Sequence, residues 1–165
     1  MKHKSRINYL RLLFTCSSTS VFVMASCHES DPGTRLEEGS YPPVFKITGG
    51  GLDASFVVFG PFENVSEWEK ASSSIENLTP VWEVNSPPHA NKSVSEYSPL
   101  TYGEIPPGFS QKRPKDGSAL QLLEGKVYYL LIAVNGANWT GLCFFIKGGK
   151  AYTCERHLRT APNNL

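Results

Sequence analysis

The residues best placed to do chemistry in this chain are two cysteines, Cys143 and Cys154, each five positions outside the glycine pair Gly148-Gly149. If that pair turns a β-hairpin, the two thiols meet across the strands, at a Cα separation of about 4.5–5.5 Å that a disulfide tolerates. The alternative is a pair of buried cysteines packed as small apolar residues. A metal site needs further ligands at useful spacing, and His157 is the only nearby histidine. A second grouping sets His89 with Glu96 or Glu104, an imidazole and a carboxylate suited to general acid–base work, on a proline-rich stretch. Its bland reading is a solvated histidine, like His28 and His157. No Gly-x-Ser-x-Gly elbow, His-Glu-x-x-His, Cys-x-x-Cys or phosphate loop occurs, so neither an enzyme class nor a cofactor is indicated.

The first 26 residues explain a third cysteine. Lys2, Lys4, Arg6 and Arg11 form a basic start, and Leu12 to Met24 is apolar around a Thr/Ser-rich middle too short and polar for a spanning helix. Met24-Ala25-Ser26-Cys27 resembles the lipobox of bacterial lipoproteins, with Met in place of the usual Leu. The resemblance implies cleavage before Cys27, acylation of that cysteine and a firm hold on a membrane. Ordinary cleavage after Ala25 is the competing reading, but it leaves Cys27, Cys143 and Cys154 as an odd number of thiols. His28 rather than Asp after the cysteine points to the outer membrane, by resemblance to diderm lipoproteins.

Loss of residues 1–26 removes four basic residues and no acid, so the 16 Lys and Arg fall to 12 against 15 Asp and Glu. A mildly acidic body has no electrostatic reason to bind nucleic acid. The remaining 139 of 165 residues suit one domain with a core of its own. Residues 27–43 are polar and turn-rich and are expected to form a flexible tether, 44–155 a folded domain, and 156–165 a tail.

Within the domain, short strands are expected over Val44–Thr48 and Ala54–Phe59, with Gly49–Gly51 turning between them as an antiparallel pair. Asn64–Ala71 is the one helix candidate, with Ser66 and Glu69 at capping-box spacing and Val65 and Trp68 three apart. Between Thr79 and Lys115 seven prolines favour extended or edge conformations, with short strands at Pro80–Val84 and Pro99–Ile105. Lys126–Val134 is apolar on both alternating faces and is expected to be a central strand covered on both sides. Trp139–Ile146 and Lys150–Glu155 complete a terminal hairpin.

Leu122 stands six residues before Tyr128 at the head of that central strand, and this spacing resembles the tyrosine corner of fibronectin type III and immunoglobulin-like sandwiches. The resemblance implies a mainly β, single antiparallel β-sandwich in which the Tyr128 hydroxyl bonds to upstream backbone. It casts Trp82 as the early-strand core tryptophan. A fold of this kind transfers no activity.

Trp68, Trp82, Tyr97, Tyr102, Phe109 and Trp139 fall in or beside connections, where rings either stack on a sugar or partner protein or plug the ends of the sandwich. Tyr102, Phe109 and Trp139 are the candidate binding surface, and Ile105–Pro114 a candidate prolyl recognition loop. The expectation is a non-enzymatic envelope lipoprotein, held to the membrane by its N-terminal lipid and binding an envelope protein or glycan. The alternative is a small envelope hydrolase or enzyme accessory using His89 and a nearby carboxylate.

Overall fold

The structure is a computed structural model that describes residues 32–134 and 138–154. Two antiparallel sheets face each other. The smaller comprises β1 (Gly33–Leu36), β2 (Val44–Thr48) and β5 (Leu100–Thr101), in the order β1-β2-β5. The larger comprises β3 (Ser55–Phe62), β4 (Trp82–Asn85), β6 (Ser110–Arg113), β7 (Val127–Val134), β8 (Asn138–Lys147) and β9 (Lys150–Thr153), in the order β6-β4-β3-β7-β8-β9. One short helix, α1 (Val65–Ala71), runs on into a 3₁₀ turn over Ser72–Asn77. The chain is therefore mainly β, a β-sandwich with one short α-helix among the described residues.

β7 shows why an unbroken apolar run was needed. It lies between β3 and β8, and its even-numbered residues Tyr128, Leu130, Ile132 and Val134 point into the core shared with Phe45, Ile47 and Leu100 of the smaller sheet. Its odd-numbered Val127 and Tyr129 join a second cluster with Phe59, Phe62 and Trp68 of α1. Both faces are thus covered, one by a sheet and one by a helix. Trp68 stacks on Tyr129 with ring centroids 4.0 Å apart. Beneath that ring lies Gly141, where any side chain would come closer than 3.0 Å to the Tyr129 phenol. Glycine in a strand here marks a close approach.

The terminal hairpin has the expected register, with Lys147 opposite Lys150 and Phe144 opposite Thr153. Its second strand stops at Thr153, and residues 155–165, including His157, lie outside the described part.

Elsewhere the structure differs from the sequence reading. Gly49–Gly51 does not close a hairpin, because β2 and β3 belong to different sheets and the glycines carry the chain across the end of the sandwich. Gly51 has φ +112° and sits so close to Val134 that a Cβ would lie 2.6 Å from it, so glycine is required there twice over. Residues 33–36, expected in the tether, form β1, paired from Gly33 with Thr48 to Leu36 with Phe45. One buried side chain, Leu36, suffices to seat so short an edge strand. The cap of α1 is Asn64 rather than Ser66: the Asn64 side chain accepts the Glu67 N–H at 3.0 Å, and Glu67 in turn accepts the Glu63 N–H at 2.6 Å. That phase puts Trp68 against the sheet.

Candidate binding surface

Cys143 on β8 and Cys154 just beyond β9 are joined by a disulfide, with Cα atoms 5.3 Å apart and the Cys154 N–H donating to the Cys143 carbonyl at 3.0 Å. Cys27, the lipobox and His28 lie outside the described residues.

His89 occupies an exposed turn with φ 61°. Glu96 and Glu104 line a cleft of about 270 Å³ together with Lys92, Tyr97 and the prolines 99, 106 and 107, and His89 is not among its walls. Glu96 is committed to a local role, accepting the Ser93 N–H at 2.8 Å to cap the 3₁₀ turn Val94–Tyr97. Among the described residues, no three or more His, Cys, Asp and Glu side chains gather to hold a metal ion.

The candidate aromatics divide. Tyr102 is only 5 % exposed, with its ring 5.5 Å from that of the fully buried Trp82, so its ring is largely spent on the core. Trp82 is a core tryptophan, but it stands on β4 rather than on an early strand. Phe109 stacks on Phe56 at 5.3 Å and meets Tyr97 edge-on at 4.7 Å, so it pins its loop to the core. Trp139 is half-buried at the start of β8, opposite Ala133.

The surface that sequence reasoning missed lies on the connection from β6 to β7, over residues 114–126. Three contacts fix it. The Tyr102 hydroxyl donates to the Leu120 carbonyl at 2.8 Å, and the Tyr128 hydroxyl accepts the Leu123 N–H at 2.8 Å, as a tyrosine corner should. Glu124 accepts the N–H groups of Gly148 and Gly149 at 2.6 and 3.1 Å, tying the connection to the terminal hairpin. Those two N–H donors, Gly149 foremost, hold the Glu124 carboxyl below its ordinary pKa. Burial above all raises the pKa of the Tyr102 and Tyr128 phenols, so both stay protonated.

On this fixed connection Leu122 enters the core while Leu120 and Leu123 stand 53 % and 51 % exposed. Tyr41, 45 % exposed on the turn between β1 and β2, shares a groove with Leu120. Two grooves share Leu120 and Gln121 as a common wall. One, of about 350 Å³, adds Tyr41, Pro42, Tyr102 and Ala119. The other, of about 210 Å³, adds Pro61, Val81, Leu122, Leu123 and Tyr128. Neither lining contains a charged side chain. Leucines are expected inside, so composition gave no signal of this patch; the only clue was two leucines flanking the corner leucine in Leu120-Gln121-Leu122-Leu123.

No family model, curated protein or solved structure matches this chain.

Proposed function

We propose that the chain is an exported lipoprotein of the bacterial envelope, anchored through acylated Cys27, whose sandwich serves as a binding or structural module rather than an enzyme. The supporting observation is the bridge between Cys143 and Cys154, since disulfides persist in compartments outside the reducing cytosol. It also uses both cysteines of the body, which leaves Cys27 as the odd thiol that the lipobox assigns to lipid. The binding role draws on the apolar surface at one end of a disulfide-braced sandwich, because contiguous exposed apolar side chains mark interaction sites. A hydrolase built on His89 would need the imidazole in the cleft with Glu96 or Glu104, and no observation favours that placement.

The test is mass spectrometry of the protein recovered from intact cells. The reading expects a mature chain beginning at a diacylglyceryl-modified Cys27, and a Cys27→Ala variant that leaves the membrane fraction. Retention of residues 1–26, or a free thiol at Cys27, would overturn it.

A further inference from the structure

We propose that the cleft beside β5 takes a short extended peptide bearing a basic side chain, added to the open edge of the smaller sheet. This site shares no lining residue with the grooves at Leu120 and does not rest on the anchoring reading.

The register of β5 decides what its edge offers. β5 ends the order β1-β2-β5, so one of its sides has no strand. On the other side, Tyr102 donates its N–H to the Pro43 carbonyl at 2.9 Å. Val44, opposite Thr101, instead turns both backbone groups toward the β1 side: its N–H reaches Ser40 Oγ at 3.0 Å and its carbonyl accepts the Glu37 N–H at 2.8 Å. Thr101 and Val44 are therefore a pair without mutual hydrogen bonds, and in an antiparallel ladder such a residue directs its N–H and C=O away from the partner strand. Both Thr101 groups face outward, where Thr101 lines the cleft. Its carbonyl takes the Glu104 N–H at 3.2 Å. Among the described residues no acceptor meets its N–H, and the carbonyl of a peptide laid along the edge supplies one, as in strand addition.

The walls keep that edge open. Pro106 and Pro107 line the same cleft, and without N–H groups they cannot zip onto β5 as a fourth strand. Their loop is held in place by the Phe109 N–H on the Pro106 carbonyl at 2.9 Å and by the Phe109 ring stacked on Phe56. The capping box of Ser93 and Glu96 fixes the other approach. A groove shaped in advance loses little entropy on binding. With two residues in β5 and Pro99 before it, the edge has room for a short segment and not for a whole strand of a second copy.

Charge selects among peptides. Lys92 and Glu96 enter the cleft from the segment before β5, and Glu104 from the segment after it. Among the described residues no ion pair or side-chain hydrogen bond engages the Lys92 ammonium or the Glu104 carboxylate. Lys92 and Glu96 offset each other in sign, which leaves Glu104 to favour a cation and repel an anion. Half-buried Tyr97 and exposed Ile105 offer apolar faces to the side chains on either side of that cation.

The experiment titrates the isotope-labelled full chain with a capped pentapeptide of alternating valine and lysine, and with its glutamine and glutamate counterparts, following backbone amides by NMR. Saturable shifts at Thr101 and Glu104 are expected, with the lysine peptide half-saturating at about millimolar and binding about fivefold more tightly than the glutamine one. The glutamate peptide should bind most weakly. Glu104→Gln is expected to abolish the preference for lysine without weakening the glutamine peptide. Thr101→Pro removes the outward N–H, a change that an edge position accepts, and should weaken lysine and glutamine peptides alike by about fivefold. Circular dichroism and the urea midpoint check both folds; should Thr101→Pro unfold, the Thr101 amide shift in the wild type and the Glu104→Gln result decide the matter. No saturation by about 10 mM lysine peptide, shifts that spare Thr101, equal affinity for the three peptides, or a preference that survives Glu104→Gln overturns the proposal, whatever Cys27 carries.

Discussion

Replacing Gly141 by alanine is a small change with a large expected effect. The new methyl would overlap the Tyr129 hydroxyl and ring edge at separations below 3.0 Å, and ordinary contact is about 3.5–4.0 Å. The ring has little freedom to move, because the Trp68 indole stacks on it at 4.0 Å. Relief therefore requires either a shift of β8 against β7 or displacement of α1 from the sheet. Overpacking of this kind costs about 1–3 kcal/mol, and with the ring held by that stack the upper end, about 3 kcal/mol, is expected. Urea unfolding followed by tryptophan fluorescence measures it, since Trp68 reports on the stack. The mechanism is isolated by Tyr129→Ala: in that background, already weakened by about 3–5 kcal/mol through lost aromatic burial, Gly141→Ala should cost less than about 0.5 kcal/mol. A Gly141→Ala protein as stable as wild type, or two additive effects, would show that the close approach is not what requires glycine.

Three further outcomes are expected. Reducing the disulfide, or Cys143→Ser with Cys154→Ser, frees a loop closed over a sequence separation of 11, which by chain entropy corresponds to about 3 kcal/mol; an unchanged urea midpoint under reductant contradicts this. Tyr128→Phe keeps the buried ring beside Phe144 but leaves the Leu123 N–H without its acceptor, for a loss of about 1–2 kcal/mol in the same assay; a loss beyond about 4 kcal/mol would mean that packing rather than the hydrogen bond had been disturbed. Because burial raises the pKa of Tyr102 and Tyr128, the folded chain keeps protons that the unfolded chain releases near pH 10. Their contribution is intact below about pH 10 and falls as pH climbs past it, so stability measured from pH 8 to about pH 11 should decline at the top, and less steeply in Tyr102→Phe, where Tyr128 alone remains; a level wild-type profile would refute it.

What the sequence disclosed follows from where side-chain physics dominates. β7 was legible because a strand covered on both faces must be apolar at every position, and the terminal hairpin because a glycine pair fixes its register and with it the opposition of Cys143 and Cys154. The Leu122 to Tyr128 spacing carried the corner for the same reason, a fixed geometry written as a fixed offset. β6, Ser-Gln-Lys-Arg, was not legible, since it has no apolar residue and is recognised only by its pairing with β4. β1 offered a single buried leucine. The patch at Leu120 was hidden because hydrophobicity reports what a residue prefers, and here hydrogen bonds on the backbone overrule that preference.

The pairing of β1 bears on how the molecule carries load. Tension applied at residue 32 along β1 acts parallel to the strand, and the four pairs from Gly33–Thr48 to Leu36–Phe45 then share the force together instead of parting one by one. At the far end of the strand, Glu38 grips the Thr153 amide and hydroxyl, so the pull is handed on to the disulfide-braced hairpin. A domain drawn from its N-terminal side thus passes the load through all four β1–β2 pairs to the terminal hairpin.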